Sequence, residues 1–144
     1  MIYGSFEHNL DEKNRLVIPS KLRECLSKVL FIIKGFEGCI SIYPEDEFNV
    51  YLANLSKLDD NIKISRDFKR VALSSVCRLE IDSKNRIQIP TAIVNKYSLD
   101  NDVIIVGMIN HIEIWNLSLW KKYFQENETP FEKNAEKLLV KNDE

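Results

Sequence analysis

The chain has 144 residues, 44% of them hydrophobic and 29% charged, with a formal net charge of -2. That length suits one compact domain or two small ones sharing a core, and the balance excludes a disordered chain and a generally basic nucleic-acid binder. The longest apolar run, "VLFII", is far too short to span a bilayer, and "MIYGSFEHNLDEK" lacks the basic start and apolar block of a secretory signal. Cys25, Cys39 and Cys77 sit apart among apolar residues with no C-x-x-C pair. They read as reduced core thiols of a cytosolic protein, not as zinc ligands.

In chain order, residues 11–22 read "DEKNRLVIPSKL". A polar turn, "DEKN", leads into a short strand, "RLVIP", that Pro19 stops, because proline cannot donate to a ladder and suits a helix start. A short helix follows in "SKLRECLSKV". Residues 31–43, "FIIKGFEGCISIY", give a buried strand, a turn at Gly35 and a second strand. "EDEFNVYLANL" places Phe48, Tyr51, Leu52 and Leu55 on one helical stripe. Residues 56–65, "SKLDDNIKIS", form a connector, with Ser65 expected to cap a helix through "RDFKRVALSS". Next, Cys77, Leu79 and Ile81 alternate with Arg78 and Glu80 as a half-buried strand does. "DSKNRIQIPTAI", residues 82–93, repeats turn, strand and proline, with Ile87 and Ile89 alternating with Arg86 and Gln88. "TAIVNKYSL" is a helix, "VIIVGMINHIEIW" a second strand pair and "LWKKYFQ" a second closing helix. "ENETP" reads as a break, and "FEKNAEKLLVKNDE" as a terminal helix fraying into a charged tail.

The repetition decides the architecture. Six of twelve cassette positions are identical at an offset of 71: Asp11, Lys13, Asn14, Arg15, Ile18 and Pro19 match Asp82, Lys84, Asn85, Arg86, Ile89 and Pro90. In the strand pairs the offset is 72, so one residue has been gained or lost. Gly35 then falls on Gly107, Tyr43 on Trp115, Phe48 on Trp120 and Tyr51 on Tyr123. The chain is a duplicated domain, divided into a first unit (residues 1–58), a helical connector (59–74), a second unit (75–125) and a C-terminal helix with its tail (126–144). The expected fold class is α+β. Strands this short cannot bury a core alone, so the two units are expected to pack into one pseudo-two-fold β-barrel with flanking helices.

Enzyme chemistry finds no support. His8 and His111 lie in different contexts, His111 at an outward strand position, and both read as surface residues. No nucleophile context, phosphate loop, metal set or cofactor motif is present. Asp11 and Asp82 each have an arginine four residues on, which would hold them ionised and make poor general acids. Structurally, such an aspartate caps its turn and pairs with the arginine. That role requires neither Lys13 and Asn14 nor Lys84 and Asn85. A hairpin tip with lysine for phosphate, asparagine for an adenine edge and arginine for guanine suits a DNA groove. The aspartate then either pins the turn or holds the guanidinium rotamer. Residues 61–90 carry seven Lys/Arg against three Asp/Glu, and residues 31–60 two against six. One face is thus expected to be basic and another acidic.

The doubled D-x-x-x-R cassette with its following "IP", the Gly-centred strand pairs and the aromatic closing helices resemble the MraZ family over about residues 1–140. "GSFEHNLDEKNRLVIP" and "LEIDSKNRIQIP" are similar to its two signatures. The resemblance implies tandem swapped-hairpin (AbrB-like, SpoVT/AbrB-type) units and a bacterial transcriptional regulator in the cytoplasm, associated with the nucleoid. It further implies binding to short direct repeats upstream of its own division and cell-wall operon, and assembly into homo-oligomeric rings. By position, Arg15 and Arg86 become the DNA-binding residues with Asp11 and Asp82 in support; Lys13, Asn14, Lys84 and Asn85 lie inside the motifs. Charge alone adds Lys21, Arg23, Lys69, Arg70 and Arg78, and the acidic middle and aromatic helices would make the ring interface. The alternative function is a protein-interaction module, antitoxin-like or an assembly scaffold, because related hairpin folds serve as both.

Overall fold

The computed structural model describes residues 1–143, with side chains described through residue 140, so Glu144, the end of the expected tail, lies outside the described residues. The first copy supplies β1 (Ser5–Asn9), β2 (Arg15–Val17), α1 (Ser20–Arg23), β3 (Val29–Lys34), β4 (Ile40–Pro44) and α2 (Glu45–Ser56). After α3 (Lys63–Ser74), the second supplies β5 (Cys77–Glu80), β6 (Arg86–Gln88), α4 (Thr91–Lys96), β7 (Asp102–Gly107), β8 (Ile112–Asn116) and α5 (Leu117–Glu128). The last element is α6 (Phe131–Asp143).

The class is α+β, and every strand pair is antiparallel. The strands form a six-stranded sheet, β1-β7-β8-β4-β3-β5, and a two-stranded ribbon, β2-β6, so no continuous ladder closes the expected β-barrel among the described residues. The ribbon strands have three residues each. Pro19 and Pro90 lack the N–H that would extend the ladder, so the ribbon covers the sheet without joining its edges.

The halves exchange strands. β1 of the first copy pairs with β7 of the second, and β5 of the second with β3 of the first. In the ribbon, Leu16 faces Ile87, its own counterpart in the repeat, so the pseudo-two-fold axis passes between them. Across the sheet the axis passes between Ser41 and Glu113.

Register corrects the repeat alignment. Lys34 pairs with Ile40 as Gly107 pairs with Ile112, and the turns close through Gly35 N–H to Cys39 O and Met108 N–H to His111 O. Lys34 therefore corresponds to Gly107, an offset of 73, while Ile40 corresponds to Ile112, an offset of 72. The second copy has gained two residues before β7, where α4 has six residues against four in α1, and lost one in the turn. The expected match of Gly35 with Gly107 is thus displaced by one residue. Each glycine has its own cause. A Cβ on Gly35 would lie 2.6 Å from Cys39 Sγ, and one on Gly107 2.5 Å from the backbone nitrogen of Tyr3. Close approach of a neighbour, a thiol at Gly35 and backbone at Gly107, demands glycine at both.

The main core lies between ribbon and sheet. Leu16, Ile18, Ile87 and Ile89 meet Leu30, Ile32, Ile40, Ile42, Ile105, Ile112 and Ile114, all essentially inaccessible to solvent. On the far face of the sheet, Phe48 and Leu55 of α2 and Ala72 of α3 pack in one cluster with Ile33 and Tyr43. α5 lays Trp120 and Tyr123 over Cys39, Ile104 and Trp115. The aromatic matches of the repeat hold here: Tyr51 packs on Tyr43 at 5.3 Å and Tyr123 on Trp115 at 4.9 Å. The three cysteines are free thiols, Cys39 fully buried and the others half-buried.

Helix ends depart from expectation in two places. α3 starts at Lys63 after Ile62, without a side-chain cap, so Ser65 lies inside the first turn. The connector is held instead by Lys69, whose ammonium reaches Leu58 O at 2.8 Å and Asp60 Oδ1 at 2.6 Å. The break expected over "ENETP" narrows to Thr129 and Pro130, because α5 runs through Glu128.

Candidate nucleic-acid interface

The ribbon ends in two hairpin turns built alike from the same residue types. Asp11 N–H donates to Arg15 O at 3.0 Å and Asn14 N–H to Asp11 O at 3.0 Å; Asp82, Arg86 and Asn85 repeat this at 2.9 and 3.0 Å. Asn14 and Asn85 both sit at φ 60°. This is a three-residue loop closed by a left-handed residue, the conformation asparagine tolerates best after glycine. The turn therefore gives a structural cause for the repeated asparagine. The two loops also interlock: Asn85 O accepts from Ile18 N–H and Asn14 O from Ile89 N–H, each at 2.9 Å. Each loop is thereby fixed by the strand of the other copy.

Both aspartates do the double work expected of them. Asp11 Oδ1 accepts from Lys13 N–H and Arg15 N–H at 2.9 Å, and Oδ2 from Arg15 Nε at 2.7 Å. Asp82 does the same with Lys84 N–H at 2.8 Å, Arg86 N–H at 2.9 Å and Arg86 Nε at 2.9 Å. Each guanidinium spends one donor on its aspartate and keeps the four of its terminal nitrogens. The arginines are partly exposed, so that fork remains available to a ligand.

Hydrogen bonds from the Arg15 backbone, the Arg15 side chain and the Lys13 backbone together outweigh the opposing cost of desolvation and hold the Asp11 carboxyl below the usual carboxylate range. Arg86 and Lys84 do the same for Asp82. A carboxyl whose pKa is depressed by folding stabilises the fold above the unfolded value, about 4, and loses that contribution as pH falls through the folded value. The two hairpins are therefore expected to stay braced at neutral pH and to loosen only in acid. Carbon-13 NMR titration should place both carboxyl midpoints below about 4, and Asp11→Asn with Asp82→Asn should abolish the hairpins' acid response. Midpoints at or above that value would contradict the bracing.

Lys13 and Lys84 lie exposed at the turn tips, but Asn14 turns its amide to Thr91 Oγ1 at 3.2 Å. The charge-based candidates scatter. Arg23 Nε donates to Ile18 O at 2.9 Å, Arg78 pairs with Glu80 at 3.2 Å, and Lys69 is committed to the connector. Alternation predicts which ribbon side chains point outward, and it adds two to the arginines that the repeat marks. With Leu16 and Ile87 buried, the outer row comprises Arg15 opposite Gln88 and Val17 opposite Arg86.

His111 is not at an outward strand position. It ends the β7–β8 turn, stacks on Tyr43 with ring centroids 4.5 Å apart, and is held below the usual histidine pKa by burial. With Phe36, Tyr43, Phe68 and Met108 it lines an apolar groove of about 450 Å³ beside α3.

The family model described as "MraZ protein, putative antitoxin-like" matches residues 1–71 and 73–142. A protein of Pediococcus pentosaceus named "Transcriptional regulator MraZ" is 36% identical over 139 residues, 96% of this chain and 97% of its own length. Proteins of the same name from Clostridium beijerinckii and Mycoplasmoides gallisepticum are 34% and 33% identical over 138 residues, covering 96% of this chain and 96% and 97% of theirs.

Proposed function

Because the chain belongs to the MraZ family, we propose that it is a transcriptional regulator that reads DNA with the outer face of the β2–β6 ribbon. The observation that carries this is the pair of aspartate-braced arginines, Arg15 and Arg86, presented about one pseudo-two-fold axis by interlocked loops. A major groove admits a two-stranded ribbon, and an arginine fork addresses guanine O6 and N7 together. Lys13 and Lys84 supply charge to phosphates. Asn14 and Asn85 set the turn and approach the backbone, while Asp11 and Asp82 fix the arginine rotamers and so lower the ordering cost of binding.

In this reading the target is a set of short direct repeats upstream of its own division and cell-wall operon, and the protein works in the cytoplasm on the nucleoid. It assembles as a homo-oligomeric ring. Exposed apolar side chains on α3 (Ile64, Phe68, Val71) and α6 (Phe131, Leu138, Leu139) support assembly, since a monomer gains nothing by exposing them together. No helix among the described residues is long and apolar enough to cross a membrane. With a net charge of -2, one subunit holds DNA weakly, and several subunits on spaced repeats add through effective concentration.

The test is retention of DNA from directly upstream of the gene against a shuffled fragment over a salt series. Selective binding that falls steeply with salt is expected, because phosphate contacts release counterions. No selectivity at any salt, from folded and assembled protein, would overturn the proposal.

A further inference from the structure

The ribbon's outer row is symmetric at two of its four positions. The axis between Leu16 and Ile87 carries Arg15 onto Arg86, but it carries Val17 onto Gln88. Val17 is 41% exposed, and Gln88 is exposed. A valine offers a groove only a methyl surface, matched by the thymine methyl. A glutamine offers an acceptor and donors, matched by adenine N6 and N7.

Gln88 is also held in place. Its Nε2 donates to the Lys13 carbonyl of the other copy's loop at 3.0 Å. One N–H is used, and Oε1 with the second N–H is left for another partner. The amide therefore stands beside Arg15, its cross-strand neighbour, with its orientation set before any ligand arrives. The equivalent Val17 beside Arg86 has no such group.

We infer that Gln88 is a specificity-determining residue that reads one adenine-containing base pair next to the Arg15 contact, while Val17 leaves the symmetry-related position without a hydrogen bond. The two hairpins then recognise unlike half-sites, and the preferred sequence within one subunit's footprint is not a palindrome. This rests on the ribbon's being the DNA-reading surface.

The full-length protein would be used to select from a DNA library randomised across the footprint, alongside Gln88→Val, Val17→Gln and Arg15→Ala. Valine is the native residue at the equivalent strand position, so Gln88→Val should fold. It should lose about tenfold or more of preference at one base pair next to the Arg15 contact, the loss expected of one bidentate contact, with the remaining preferences kept. Val17→Gln should gain adenine preference at the position related by the two-fold axis. Gain there would support base reading even if Gln88→Val disturbed the Lys13 loop. A wild-type profile intact in both glutamine-site variants but stripped of the guanine preference at the Arg15 contact by Arg15→Ala would overturn the role of Gln88 and leave the ribbon reading standing. A wild-type protein that selects no sequence would overturn both.

Discussion

Arg15→Ala combined with Arg86→Ala should erase sequence selectivity while leaving the fold in place. A bidentate arginine–guanine contact is worth about 1–3 kcal/mol. Two independent ones multiply to a loss of roughly 30-fold to ten-thousandfold in discrimination between cognate and shuffled DNA. The cost to folding should be small, because each guanidinium is partly exposed and bonds only to its own loop's aspartate among the described side chains. Exposed pairs of this kind add little to stability, because solvent screens them. Asp11 and Asp82 would still accept from the loop N–H groups. Arg15→Lys with Arg86→Lys would sharpen the test: lysine keeps the charge but lacks the planar fork, so residual binding should survive without preference. Unchanged discrimination in the alanine pair would remove the arginines from the site.

Leu16→Ala should destabilise the chain by about 2–5 kcal/mol, a large share of the roughly 5–15 kcal/mol that such a domain possesses. Leu16 is completely buried at the centre of the ribbon and faces Ile87, also completely buried. Truncating either leaves a cavity between ribbon and sheet that rigid three-residue strands cannot collapse to fill. The double variant should depart from additivity, since the two side chains share one contact. Urea denaturation followed by circular dichroism would measure both, with the slope unchanged if unfolding stays two-state. A loss under about 1 kcal/mol in each single variant would show that the ribbon is not integral to the core.

Much of this was legible in the sequence for a definite reason. The cassette occurs twice, so Pro19 and Pro90, Ile18 and Ile89, and the D-x-x-x-R spacing each carry their signal in duplicate. The aspartate-capped turn and the alternation of "RIQIP" are local, and local signals read well. What resisted were pairings between distant segments. Whether β1 would join β3 or β7 depends on the other copy, and no period within residues 5–9 encodes that choice. That the ladder is divided between sheet and ribbon follows from how few ladder bonds three residues can make, an energetic matter and not a pattern. His111 misled because "NHIEIW" alternates, while the turn ends one residue later than the pattern implies and stacking on Tyr43 draws the ring inward. Gly107 aligned with Gly35 because both are glycine; the backbone of Tyr3 explains one and the Cys39 thiol the other. On the ribbon's outer row, repetition marks Arg15 and Arg86 but not Gln88, which differs between the copies.

The exchange of β1 bears on how the chain matures on the ribosome. Ser5 finds its partner at Val106, so β1 emerges about a hundred residues before the strand that will hold it. At elongation rates of about 5–20 residues per second, that is roughly 5–20 seconds during which β1, with Phe6 and His8 on its inward face, has no ladder to join. The nascent first half meanwhile lacks β5, the strand that will border β3 on the opposite edge. Neither half completes its sheet before the other has been made, so assembly begins late and involves nearly the whole chain at once. Two polysomal neighbours at the same stage would present each other with β1 and β3, the repeat counterparts of the β5 and β7 that each lacks.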